Sequence, residues 1–131
     1  MSTEIQSPIP DSFAANPGTI ELVTENGFSI LRLWEIDGTP PPIAGNYPFL
    51  VRNPQSIERP IAVEIIDAIV AQIELSTWGR IRQGNSFWIC CAERHLAIYV
   101  WEHDDYPEGD KLRVNQLDPD DLMTSIRWQI A

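Results

Sequence analysis

The chain has 131 residues, a formal net charge of −10, 44% hydrophobic residues and five tryptophans. This length is sufficient for one domain with a substantial core and too short for two domains of ordinary size. The excess of acidic side chains disfavours direct binding to nucleic acid or to an anionic membrane, and it favours a basic partner.

The N-terminal part of the chain is polar and contains Pro8, Pro10 and Pro17. It lacks a basic region followed by an apolar one, so we expect no secretory signal peptide. Residues 1–18 are therefore predicted to be a flexible arm, and residues 19–131 are predicted to form a single domain.

A β-hairpin is predicted directly after the arm. Residues 19–23 alternate between apolar and polar side chains, and residues 28–34 follow an Asn26-Gly27 pair, which is a strong signal for a hairpin turn. The next segment, residues 38–48, contains four prolines and is predicted to be an extended loop because proline cannot donate a backbone hydrogen bond. A short strand is expected around residues 49–52.

Residues 57–75 predict an amphipathic helix that packs on one face of the sheet. Isoleucines recur at every fourth position, and at 100° per residue they share one side of a helical wheel, opposite most of the acidic residues. These isoleucines are Ile61, Ile65, Ile69 and Ile73.

Two apolar segments, residues 86–92 and 96–101, predict a central pair of strands joined by a turn at residues 93–95, because both are aromatic and β-branched. Residues 111–117 predict another strand. Asp118 and Pro119 predict the start of a short C-terminal helix, about residues 119–130. The sequence thus predicts an α+β domain with a mostly antiparallel sheet of about five strands built from hairpins, the helix at 57–75 on one face, and this short helix.

Cys91, Glu93 and His95 would lie on one face of a straight strand, where they could act as zinc ligands. The predicted turn would separate them, and their spacing matches no usual zinc signature, so we expect no metal and no cofactor. A Cys–His nucleophilic pair is also disfavoured because no third group is identified that would orient the histidine. The acidic residues 102–110 do not fit the EF-hand spacing and are expected to be a solvated surface.

Cys90 and Cys91 are the only cysteines, and they are adjacent in the sequence. Neighbouring residues on a strand point to opposite faces, so this pair does not provide a disulfide framework. A reducing, cytoplasmic location is therefore expected.

The aromatic residues suggest a function. Tryptophan and tyrosine dominate the energetic centres of protein interfaces, and this chain has more tryptophan than so small a core readily hides. We therefore expect a non-enzymatic protein-interaction domain, an adaptor, assembly factor or regulator, that docks an extended or helical segment of basic or neutral character. The predicted partner-binding residues, an aromatic surface with an acidic rim, are Trp78, Trp88, Tyr99, Trp101, Glu102, Asp104, Asp105 and Trp128.

Other functions stay open. The protein could self-associate through an uncovered sheet face. It could instead be a small-molecule-binding protein or an enzyme, with a pocket between helix and sheet and with His95 or His103 as the titrating group. An acidic mimic of nucleic acid would fit the net charge, although the acidic residues concentrate in one late segment.

Overall fold

A computed structural model describes residues 21–37, 42, 45–82 and 86–123 of the chain. The strands are β1 (Glu21–Val23), β2 (Ser29–Arg32), β3 (Asn46–Arg52), β4 (Glu58–Ile65) and β5 (Lys111–Val114). The helices are α1 (Leu33–Asp37), α2 (Asp67–Ser76) and α3 (Ser86–His103), and a 3-10 turn spans Glu108–Asp110. A further helix, α4, begins at residue 119 and is described as far as residue 123.

The described strands form one five-stranded sheet in the order β1-β2-β3-β4-β5. The pairs from β1 to β4 are antiparallel, and β5 pairs with β4 in parallel. The parallel pair requires a long crossover, which α2 and α3 supply between the two strands. The predicted α+β fold with a mostly antiparallel five-stranded sheet is confirmed.

The first hairpin forms around the predicted turn, although its second strand ends at Arg32 and residues 33–34, which were predicted as strand, begin α1. Leu22 of β1 lies opposite Ile30 of β2, and the turn between the strands is closed by a 2.9 Å hydrogen bond from the Thr24 N–H to the Phe28 carbonyl. Gly27 has φ of +93°, in the left-handed region that favours glycine, and a Cβ atom there would lie 3.3 Å from the Pro54 side chain. Glycine therefore suits this turn mainly through its backbone angle, and a larger residue would also have to displace the Pro54 side chain slightly.

The helix predicted over residues 57–75 is wrong in its first half, where the chain forms β4. Ile61, Val63 and Ile65 are buried while the residues between them are more exposed, which is the two-residue period of a strand. Pro60 is tolerated because β5 pairs only with Ala62–Ile65 and leaves Pro60 with one neighbouring strand. Only the second half of the predicted helix is helical, as α2.

The pair of strands predicted over residues 86–101 is also wrong, because this segment is the 18-residue helix α3. Its buried apolar residues recur at helical spacing and are Phe87, Trp88, Cys91, Ala92, Leu96 and Val100. The helix has apolar residues on most sides because neighbouring elements cover most of its surface. Such burial removes the polar face by which an amphipathic helix is usually recognised.

The core lies between one face of the sheet and the helices. Phe49, Val51 and Val63 contribute from the central strands, and Trp88 and Leu96 contribute from α3, and all five side chains are fully buried. Each buried apolar side chain of this size contributes about 1.5–3 kcal/mol before the entropy of ordering it is subtracted. Burial of α3 on the sheet is therefore a major stabilising contribution to the domain.

The start of the C-terminal helix at Asp118 is confirmed, whereas residues 124–130, which were predicted to continue it and include Trp128, lie outside the described residues. The predicted N-terminal arm, residues 1–18, also lies outside them. Among the described residues, none of the helices combines the length and the apolar character needed to cross a membrane.

The strand assignment of residues 58–65 can be tested with two neighbouring substitutions. Val63→Asp should unfold the domain, because an unpaired charge in the core costs several kcal/mol out of a total stability of about 5–15 kcal/mol. The Ala62 side chain faces the other side of the sheet, next to Lys111. Ala62→Asp should therefore lower the free energy of unfolding by only about 1 kcal/mol. Urea unfolding followed by circular dichroism measures both, and equal tolerance of the two substitutions would contradict the strand.

Candidate functional site

The predicted partner-binding residues lie on different elements of the structure. Trp88 is completely buried in the core, so in this conformation it cannot contact a partner and does not belong to a docking surface. Tyr99 is half-buried, and its ring stacks on that of His103 with 4.0 Å between centroids. Trp78 follows α2 and is 91% exposed, whereas Trp128 lies outside the described residues.

Four of the predicted residues stay together at the C-terminal end of α3, and we call them the acidic aromatic patch. They are Trp101, Glu102, Asp104 and Asp105, all exposed, with Trp101 at 52% exposure. The side-chain amide of Asn26 holds this end in place, because it donates hydrogen bonds to the Val100 carbonyl (3.0 Å) and to Asp104 Oδ1 (3.1 Å). The patch is therefore an ordered surface joined to the first hairpin.

A second exposed apolar surface lies on α2 and just after it. Leu75 is 82% exposed, and together with Ala71 and Trp78 it lines a broad, shallow depression that also includes Glu74 and Gly79. Trp78 has φ of +56°, a left-handed backbone conformation that is uncommon for a large side chain. Trp78 and Trp101, the two exposed tryptophans in the described part of the chain, thus belong to separate elements of the fold.

A polar hollow of about 380 Å³ lies between the end of α3 and the loop before β5. Arg59 of β4 forms an ion pair with Asp110 at 3.0 Å, and its guanidinium group lies 5.0 Å from the Tyr106 ring centroid. The Tyr106 hydroxyl donates a hydrogen bond to the Ile57 carbonyl, and His103 Nδ1 lies 3.0 Å from the Tyr99 carbonyl. These polar groups of the hollow are therefore paired with protein atoms.

A buried polar cluster joins α3 to the start of α4. Cys91 and His95 are four residues apart on α3 and therefore lie on the same helical face. They meet Asp121 of α4, and the ligand-type atoms of the three side chains all lie within 4.8 Å of one another. We call these three residues the Cys91–His95–Asp121 cluster.

The Asp121 carboxylate is the centre of this cluster, with only 2% of the residue exposed. Its Oδ1 accepts hydrogen bonds from Arg94 Nη1 at 2.7 Å and from the Cys91 thiol at 3.7 Å. Its Oδ2 lies 2.6 Å from His95 Nε2 and accepts a 3.1 Å bond from the Asp118 N–H. Asp121 is thus a buried charge whose two oxygens are both fully partnered, as such groups must be.

Asp118 caps α4 in the manner that the sequence predicts. Its Oδ1 accepts a 2.9 Å hydrogen bond from the Asp121 N–H, and the reciprocal bond from the Asp118 N–H to Asp121 completes a capping box. Desolvation opposes ionisation of Asp118, but the Asp121 N–H and the Arg94 guanidinium outweigh it and lower the pKa of Asp118 below its usual value.

The cluster in this form does not suit a nucleophilic cysteine. Burial, followed by the nearby Asp121 charge and its hydrogen bond, raises the pKa of the Cys91 thiol, so the sulfur stays protonated at neutral pH. Asp121 is positioned to orient His95, but it also holds the thiol proton. The geometry favours a neutral thiol that donates a hydrogen bond over a reactive thiolate.

Glu93 does not join Cys91 and His95, as it would have done on a straight strand. On a helix Glu93 points away from the other two residues, and both of its oxygens accept hydrogen bonds from Arg32 of β2 at 3.3 Å. Arg94 and Asp121 instead complete the cluster, and the sequence prediction did not include them. Two signals in the sequence point to this cluster: the four-residue spacing of Cys91 and His95, and the acidic capping box at Asp118. They indicate a shared site only after both segments have been assigned as helices.

Comparison with protein-family models, with curated proteins and with solved structures finds no match to this chain.

Two neighbouring carboxylates that both contact Arg94 provide a test of the cluster. Asp121→Ala should lower the free energy of unfolding by about 3–5 kcal/mol, because it removes the buried partner of Arg94 and His95. Asp120→Ala is the matched control; its side chain is 84% exposed, so the loss should stay within about 1 kcal/mol. Chemical denaturation of both variants measures the difference, and similar losses would contradict a central role for Asp121.

The lowered pKa of Asp118 predicts how stability depends on pH. A carboxyl group whose pKa is lower in the folded state stabilises the fold above its unfolded-state pKa, and this stabilisation is lost as the pH falls through the folded-state value. Asp118→Asn keeps a good N-cap but removes the charge, so its stability should fall less steeply than that of the unmodified protein below pH 3.8. Thermal unfolding as a function of pH measures both slopes, and identical slopes would contradict the ion pair with Arg94.

Proposed function

We propose that the protein is a non-enzymatic protein-interaction domain, an adaptor, assembly factor or regulator, that docks a basic segment of another protein on the acidic aromatic patch. The observation that carries this proposal is the half-exposed Trp101 ring beside three exposed carboxylates. Tryptophan is enriched among the residues that dominate binding energy, and surrounding charges govern partner choice and association rate.

The position of the acidic residues supports a role in binding. The C-terminal end of a helix carries partial negative charge, so carboxylates there reduce stability. Glu102 lies in the last turn of α3, and Asp104 and Asp105 follow directly after it. A partner with lysine or arginine side chains would relieve this repulsion on binding and would also complement the net charge of −10.

The acidic charges of this patch also indicate which kind of partner it favours. Two copies that met through the acidic aromatic patch would bring like charges together, which disfavours self-association at this surface. An acidic mimic of nucleic acid would need carboxylates spaced along an extended track, whereas these follow one another at a single helix end. A basic extended or helical segment of a different protein is therefore the preferred partner.

A small-molecule site is the second candidate, because the hollow beside His103 has a volume of about 380 Å³, within the range of ligand pockets. It ranks second because Arg59, Tyr106 and His103 already have partners in the protein. We also place the protein in the cytoplasm, and the free thiols of Cys90 and Cys91 support that location.

The proposal is tested by isolating a stoichiometric partner from the source cells and measuring its binding to purified variants. Trp101→Ala should weaken binding at least about 30-fold, because a central tryptophan contributes about 2 kcal/mol or more. Asp104→Lys with Asp105→Lys should slow association and reduce its dependence on salt.

Trp78→Ala is the matched control, because Trp78 is also an exposed tryptophan but belongs to another surface. It should bind the partner like the unmodified protein. Circular dichroism confirms that each variant is folded. Loss of binding in Trp78→Ala with full binding in Trp101→Ala would contradict the proposal, and so would unchanged affinity in both.

A further inference from the structure

We propose that the Cys91–His95–Asp121 cluster binds a single zinc ion through Cys91 Sγ, His95 Nε2 and one Asp121 oxygen, with water as the fourth ligand. This site is separate from the acidic aromatic patch, and the proposal does not depend on the protein-binding function. Thiolate, imidazole and carboxylate are the three ligand types that zinc uses in proteins, and three protein ligands with one open position are typical of zinc sites that hold a water.

The distances between the three side chains fit a tetrahedral ion after a small adjustment. At usual zinc–ligand distances, sulfur lies about 3.5 Å from a nitrogen or oxygen ligand, and nitrogen lies about 3.3 Å from oxygen. Cys91 Sγ is already 3.7 Å from Asp121 Oδ1. The 2.6 Å distance from His95 Nε2 is to the other oxygen, Asp121 Oδ2. The three ligand atoms lie within 4.8 Å of one another, so side-chain shifts of about 1 Å are needed for a single Asp121 oxygen, the sulfur and the nitrogen to surround one ion.

The surrounding residues would orient the ligands. Cys91 and His95 both belong to α3, a long helix that packs on the sheet, so the backbone holds these two ligands in place. Arg94 and the Asp118 N–H both bond to the Asp121 carboxylate and would remain as its outer partners when zinc is bound. Such outer hydrogen bonds fix the orientation of ligands and tune their affinity.

Zinc would replace protons that the cluster already holds. The thiol proton of Cys91, which points to Asp121, would leave to solvent as the sulfur becomes a thiolate ligand. The proton that His95 Nε2 now shares with Asp121 Oδ2 would also leave that nitrogen, so that the neutral ring carries its proton on Nδ1 and offers the Nε2 lone pair to zinc. The ion would then take the place of the hydrogen bonds that now bring Cys91 and His95 to the same carboxylate.

The space beside the cluster can hold the fourth ligand. A small cavity of about 50 Å³ is lined by Cys91, Arg94 and Asp121 together with Phe87 and Cys90, and a water molecule requires about 30 Å³. His95 is partly exposed and provides a route from solvent. Calcium and magnesium prefer all-oxygen ligand sets, so a thiol and an imidazole favour zinc over these ions.

The chain contains its own controls. It has two cysteines and two histidines, and one of each lies in the cluster. Cys90 is exposed and not among the grouped ligands, and His103 lies at the far end of α3 against Tyr99. A substitution at Cys90 or His103 therefore removes the same chemical group from the chain without removing a proposed ligand, and Cys90→Ser nearly preserves the size of the side chain that lines the cavity beside the cluster.

The experiment is a titration of the full chain with Co²⁺, which replaces zinc and reports its ligands by absorption. We expect one equivalent to bind with a thiolate-to-cobalt band in the near ultraviolet, and we expect Zn²⁺ to displace it. Cys91→Ser and His95→Gln should each weaken metal binding at least about a hundredfold, more than the loss of an outer partner. Cys90→Ser and His103→Gln should bind like the unmodified protein.

The Co²⁺ titration of the unmodified protein can contradict the proposal even if the variants do not fold. A folded chain that shows no thiolate band with excess Co²⁺ does not use a cysteine as a ligand. A band that persists in Cys91→Ser, or one that disappears in Cys90→Ser, would place the metal elsewhere on the surface. Each of these results contradicts the zinc site.

Discussion

The burial of α3 against the sheet is the interaction on which the rest of the structure depends. One side of the helix packs on β3, β4 and β5, and Trp88, Leu96 and Val100 become fully inaccessible to water. The flanks of the same helix carry Glu93, which pairs with Arg32 of β2, and Cys91, which contacts the start of α4. Because α3 is enclosed on several sides, its position fixes where the hairpin, the crossover and α4 can lie.

The polar contacts around α3 specify this arrangement more than they stabilise it. Taking a carboxylate out of water costs several kcal/mol, and its partners recover this cost only when their geometry is good. Asp121 meets that condition through Arg94, His95, Cys91 and the Asp118 N–H. Loss of the Arg94 contact would leave the buried Asp121 charge poorly compensated, so the cluster favours the docking position of α4 that keeps this contact.

The sequence predicted the features that depend on local chemistry, namely the hairpin at Asn26-Gly27 and the capped helix start at Asp118. It failed where burial removes the pattern: α3 has little polar face, and its aromatic and β-branched residues are typical of strands. The isoleucines show why a wrong element can still give correct burial. A spacing of four residues returns to the same side of a strand and nearly to the same side of a helix, so Ile61 and Ile65 are buried from β4, and Ile69 and Ile73 from α2.

The two proposed sites share α3 but act independently. Cys91 and Trp101 are ten residues apart, which corresponds to about 15 Å along a helix, and they point in different directions around its axis. Coupling between two sites requires an element with two arrangements that both sites bias, and the packing of α3 against the core on several sides disfavours a second arrangement. The element that zinc would restrain is α4, which meets α3 at Cys91, Arg94 and His95, about two to three turns before Trp101. Metal binding should therefore strengthen the attachment of α4 and leave the affinity of the acidic aromatic patch unchanged.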